Sequence, residues 1–162
     1  MRKWAWLPIL LVACSAAPKH EMPGAVAPNA TLVKVVDGDT IDVTVDGTEE
    51  RVRLIGIDTP ETKKPDTPVE CFGPEASAFT TSLLPEGTPL NLERDVEARD
   101  KYGRLLAYAY LTDGTFVNLE IIRRGYAHVL TIPPNVAHAD EFVQAARAAH
   151  AANAGLWGGC SG

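Results

Sequence analysis

The stretch RVRLIGIDTPE, residues 51–61, carries Val52, Leu54, Ile55 and Ile57 and then ends in two acids, Asp58 and Glu61. Aliphatic and β-branched residues at this density predict a strand. Strict alternation sets Arg51, Arg53, Ile55 and Ile57 on one face and Val52, Leu54, Gly56 and Asp58 on the other. Arg53 and Asp58 then point apart. A common site for them requires the backbone to bulge near Gly56, where a missing Cβ makes this easiest, or Asp58 to lie past the strand's end, with Arg53, Asp58 and Glu61 converging on one pocket.

Working outward, Thr31 to Val36 and Thr40 to Val45 are rich in β-branched residues and are split by Asp37-Gly38-Asp39. Asp46-Gly47 is a hairpin signal, and the next strand runs from Glu49 to Ile57. A loop holding Pro60, Pro65 and Pro68 leads to a helix that opens at Pro74 and stops at Pro85. Pro89 to Glu93 is a short strand. Leu105 to Leu111, the Asp113-Gly114 turn and Thr115-Phe116 form a second hairpin. Val117 to Arg124 is a short helix closed by Gly125. Ala137 to Ala154 is an Ala-rich helix, with Phe142, Ala146, Ala149 and Asn153 along one side. About five strands in hairpins with helices between and after them give an α+β, mainly β class: a small closed five-stranded barrel of OB type, or a mixed α+β sheet.

The folded unit is expected over residues 31–160. Ahead of it, MRKWAWLPILLVAC has a basic start and a short apolar run, which suit an export signal over residues 1–13 better than the ~20 residues of a membrane span. Leu11-Val12-Ala13-Cys14 resembles a bacterial lipobox, with Cys14 as the lipidated residue; the alternative is a plain signal cleaved near Ala17. Residues 14–30, with Pro18, Pro23 and Pro28, read as the lipid anchor and a flexible linker. Ser15 after the Cys points to the outer membrane if the source is Gram-negative. Cys71 and Cys160 remain, and an even pair in an exported domain predicts a disulfide, against the alternative of two free thiols. Such a loop is worth up to about 4 kcal/mol.

Net charge is −6, from 15 basic and 21 acidic residues, and −8 without Arg2 and Lys3. An acidic domain has no long-range attraction for polyanions, so any nucleic-acid function must rest on a local cationic site. Other chemistries are set aside by pattern. Asp37 to Asp46 is not an EF-hand loop, because Ile41 stands where a ligand belongs and no Gly follows at the sixth position. His20, His128, His138 and His150 make no HExxH or Cys/His pairing and read as surface residues. There is no GxSxG or Gly-rich phosphate loop.

Three segments remain: VVDGDTI (35–41), RLIGIDTPE (53–61) and DKYGRLLAY (100–108). Hard oxygen ligands such as Asp39, Asp58 and a loop carbonyl suit Ca²⁺ or Mg²⁺. Two guanidiniums, Arg53 and Arg104, can fork phosphate oxygens, and Glu61 can orient or deprotonate a water.

DGDT, the R-x₄-DTPE run and DKYGR, in this order and spacing, resemble the staphylococcal (thermo)nuclease family. GPEASAFT (73–80) resembles its first helix. The resemblance implies an OB-fold barrel with three helices. It also implies Ca²⁺-dependent hydrolysis of DNA and RNA at the 5′ P–O bond, leaving 3′-phosphate ends, with single strands preferred. By position, Asp39 and Asp58 are the implied Ca²⁺ carboxylates, Thr59 lends its carbonyl, and Asp37 stands behind them. Arg53 and Arg104 are the implied phosphate clamps, Glu61 the general base, and Lys101 and Tyr102 contacts to a neighbouring phosphate. The chain departs from the family where two tyrosines flank the bound nucleotide: AHVLTIPPN (127–135) has Leu130 and Ile132 near those positions. Less stacking and an acidic balance predict weak substrate binding more than a slow chemical step. The competing expectation is a non-catalytic binding module of the same fold. No protein partner is expected, and a monomer is.

Overall fold

The computed structural model describes residues 27–62 and 68–160; Cys14, His20 and the expected signal lie outside the described residues. Strands β1 (Ala30–Asp37), β2 (Thr40–Val45) and β3 (Thr48–Leu54) form an antiparallel meander, as their β-branched runs and the Asp46-Gly47 turn predict. Strand β5 (Pro89–Glu93) pairs antiparallel with β6 (Leu105–Leu111), and β6 runs parallel to the end of β3. Ala30 and Thr31 then pair with Leu90 and Pro89, which closes a five-stranded barrel in the order β1-β2-β3-β6-β5. Its interior is sealed by Ile41, Val43, Val52, Leu54, Leu90 and Ala109, none of them exposed to solvent.

Helix α1 (Gly73–Leu83) packs beside β1. Helix α2 (Val117–Arg123) lies between the barrel and α3 (Ala139–Ala151), so Val117, Asn118, Leu119, Ile121 and Ile122 are all buried. A four-residue turn, α4 (Leu156–Gly159), follows, and Cys160 beyond it is disulfide-bonded to Cys71.

The strand expected from Glu49 to Ile57 is two strands. β3 ends at Leu54, and β4 (Gly56–Asp58) pairs with β7 (His128–Leu130) in a separate two-stranded sheet. The break is built into the packing. Gly56 has φ 82°, and a Cβ there would stand 2.2 Å from Phe142 Cε2 on α3. The buried Asn118 amide donates to Ile55 O at 2.9 Å and accepts from Ala109 N at 2.9 Å, tying the break to β6. The sequence thus satisfies the demand for irregular backbone at Gly56. The second expected hairpin reduces to one bridge, Tyr110 to Phe116, because α2 begins at once.

Candidate active site

Turning the chain at Gly56 brings Arg53 and Asp58 to the same side. The Arg53 guanidinium fills the turn: Nη1 donates to Leu54 O and to Ile57 O, each at 2.7 Å. Its Nη2 donates to Asp58 Oδ1 at 3.0 Å and pairs with Asp39 Oδ2 at 3.1 Å. Asp39 comes from the β1–β2 corner and is itself fixed, accepting from Thr40 Oγ1 at 2.9 Å and from Thr59 N at 3.0 Å. Arg53 therefore directs most of its donors into the protein. It orders the bend and offsets part of the charge of two carboxylates, and its Nε has no acceptor among the described residues.

Burial pushes the Asp58 carboxyl above its ordinary value, with Asp39 adding to it and Arg53 opposing. Behind this pair stands a second acidic pair. Asp37 Oδ1 accepts from Thr62 Oγ1 at 2.8 Å, and burial raises Asp37 against that bond, with a hydrogen bond to the Glu61 carboxyl raising it further. Glu61 Oε1 also accepts from Thr62 N at 3.0 Å.

The opposite wall comes from the loop before β6. Asp100 Oδ1 accepts from Tyr102 N at 2.9 Å and Arg104 N at 3.0 Å, and Oδ2 accepts from Arg104 Nε at 2.7 Å. Burial raises Asp100, but these bonds outweigh it and hold it below the usual carboxylate range. Anchored through Nε, Arg104 keeps both Nη groups clear of hydrogen-bond acceptors among the described residues. The Tyr102 ring is 72% exposed, with Lys101 Nζ 5.0 Å and Arg104 Cζ 5.4 Å from its centroid. Arg53, Lys101, Tyr102 and Arg104 line one cleft of about 350 Å³, closed on its apolar side by Leu130 and Ile132.

The structure thus groups Arg53, Asp39, Asp58 and Thr59, and it opens both arginines onto one cleft. Glu61 and Asp37 form a neighbouring group; neither they nor Asp39 and Asp58 line the cleft. Among the described residues, no three His, Cys, Asp or Glu side chains converge as a metal cage. The donor set is two carboxylates and the Thr59 carbonyl, all oxygen. An Arg cation already lies between the two carboxylates, and an all-oxygen set of this kind suits a hard divalent ion.

Three contributors escaped the sequence reading. Asp100, the anchor of Arg104, was legible as an acid whose side chain closes the DKYG turn. Asn135 pairs with the Glu97 backbone in both directions, at 2.8 and 3.2 Å, and so holds the loop bearing Ile132. His128 faces Asp58 across β4–β7; a three-residue strand leaves no pattern to find.

Residues 51–159 match the family model described as Staphylococcal nuclease homologue. The chain is similar to the thermonuclease of Staphylococcus intermedius, 46% identical over 127 residues, covering 78% of this chain and 74% of that one. It is similar to the thermonuclease of Staphylococcus hyicus, 40% identical over 126 residues, with 78% and 73% covered. It is also similar to the SPbeta prophage-derived endonuclease YokF of Bacillus subtilis, 42% identical over 131 residues, covering 80% of this chain and 44% of that protein.

Proposed function

The chain belongs to the staphylococcal nuclease family, and we propose that it is a Ca²⁺-dependent nuclease, cleaving the 5′ P–O bond of DNA and RNA and leaving 3′-phosphate ends. The observation that carries this reading is Arg104. Its Nε is fixed by Asp100 at 2.7 Å, and the residue lines a cleft shared with Arg53 and Lys101. A fork held this way binds two phosphate oxygens and takes up the charge that grows on them during displacement.

Arg53 adds its charge and its Nε from the cleft's other wall while keeping Asp39 and Asp58 in place. Lys101 and Tyr102 meet the next phosphate. Glu61 orients the attacking water, and placing the nucleophile is its larger contribution. Asp39, Asp58 and the Thr59 carbonyl would hold Ca²⁺, which when bound would supply polarisation of a phosphoryl oxygen. Single strands are the proposed substrate, because Tyr102 offers an exposed ring, and Leu130 and Ile132 aliphatic surface, to unpaired bases. Cys14 is the proposed lipid tether, supported by the lipobox-like LVAC.

The test uses the full-length chain, prepared with its membranes. Acid-soluble nucleotides should be released from heat-denatured DNA with Ca²⁺ and not with chelator. The activity should sediment with membranes and become soluble in Cys14→Ser. No Ca²⁺-dependent release refutes the enzyme; unchanged sedimentation refutes the tether.

A further inference from the structure

We propose that Glu70 is a positioning residue for Glu61 and that the Cys71–Cys160 disulfide keeps it in place; the functional half of this rests on the reading of Glu61 as the carboxylate that orients water. Two reciprocal bonds join these residues. Glu61 N donates to Glu70 Oε2 at 3.1 Å, and Glu70 N donates to Glu61 O at 3.0 Å. Both are at the surface, where water competes for each partner. Their persistence depends on how firmly Glu70 is presented.

Three contacts fix the segment just past Glu70. Cys71 is covalently joined to Cys160, with Cα atoms 6.0 Å apart. The Phe72 ring stacks on Tyr126 at 5.4 Å and lies close over Gly159, where a Cβ would meet Phe72 Cε2 at 2.8 Å. Gly73 N donates to Glu70 O at 3.1 Å, and Gly73 is seated against the Glu61 loop so tightly that a Cβ would stand 2.8 Å from Thr62 Cγ2 and 3.0 Å from Glu61 O. An acceptor tethered this way has a high effective concentration at the Glu61 amide. From the other side, Thr62 is bonded to Asp37 at 2.8 Å. The loop bearing Glu61 is gripped from both flanks, one of them through the disulfide.

Glu70 also adds negative charge near Asp58, so the test must separate bond from charge. Glu70→Ala removes both, whereas Glu70→Gln keeps a carbonyl acceptor and removes only the charge. In metal-free protein, amide hydrogen exchange at Glu61 N should quicken by about tenfold or more in Glu70→Ala and in Cys71→Ser/Cys160→Ser, and stay slow in Glu70→Gln. At saturating Ca²⁺, kcat should fall about tenfold to a hundredfold in Glu70→Ala with KM unchanged, and Glu70→Gln should recover most of it. Wild-type exchange in Glu70→Ala, or equal kcat losses in the Ala and Gln variants, overturns the inference. Glu61→Gln is the control for the underlying reading: if it keeps wild-type kcat, the role of Glu61 falls, while the exchange rates still decide whether Glu70 holds it.

Discussion

The sharpest consequence of the geometry is that the two arginines should fail differently. Arg53→Ala removes bonds to Leu54 O and Ile57 O, each 2.7 Å, and leaves Asp39 and Asp58 facing each other without a cation. The Arg53 and Asp39 side chains are only 13% and 11% exposed, so that pair is largely buried; Asp58, at 56%, counts for little. Breaking a buried pair together with two charge-assisted bonds gives a loss of about 3–5 kcal/mol. For a urea slope near 2 kcal/mol/M this is a midpoint lower by about 2 M. Arg104→Ala loses one partly exposed contact to Asp100, whose bonds to the Tyr102 and Arg104 amides remain, so its stability loss is under about 1 kcal/mol. Both variants should lose about 10²-fold or more of their activity. Arg53→Lys should recover little, since one ammonium cannot reach two carbonyls and two carboxylates together. Urea unfolding with chelator present is the assay. An Arg53→Ala midpoint matching that of Arg104→Ala would refute the assignment of Arg53 as the organiser of the bend.

Acid should act through Asp42. The two-pronged bond from Arg51, at 2.8 and 3.0 Å, lowers its pKa against burial, with Lys34 helping. A carboxylate lowered in the folded state stabilises above its unfolded value of about 3.9, and that stability is lost as pH falls through the lower folded value. Asp42→Asn should therefore be less stable at neutral pH yet show a shallower decline below about pH 4, read as urea midpoint against pH; parallel curves would exclude this role. At the cleft, Leu130→Tyr should lower KM for single-stranded DNA, since a stacked base is worth about 1–3 kcal/mol, with kcat little changed; an unchanged KM would show that Leu130 does not meet a base.

Much of this was legible before any coordinates. β-Branched runs and Asp-Gly turns gave the meander, and Pro74 and Pro85 bracketed α1. The conflict between Arg53 and Asp58 under strict alternation located the break at Gly56. What escaped was set by contacts distant in sequence. Asn118 ties Ile55 to β6, and Phe142 closes over Gly56, but nothing near those residues announces the partner. Strict alternation requires the strand to bend, but nothing in it marks Arg53 as the residue that fills the bend. By sequence Arg53 and Arg104 are equivalent; in the structure Arg53 is bonded into the bend and Arg104 is held through Asp100.

That inequality also bears on how an acidic chain can hold a polyanion. Both arginines that line the cleft are held by acids: Arg53 by Asp39 and Asp58, Arg104 by Asp100. Each pairing fixes a guanidinium in position and cancels much of its distant field, since opposite charges about 3 Å apart act at a Debye length of about 10 Å almost as a neutral dipole. Attraction from afar is weakened, while the positions of the guanidiniums proposed to meet phosphate are kept. On the proposed function, selectivity would come from fit at short range: an Arg104 guanidinium already anchored by Asp100, and a carboxylate corner arranged before any substrate arrives.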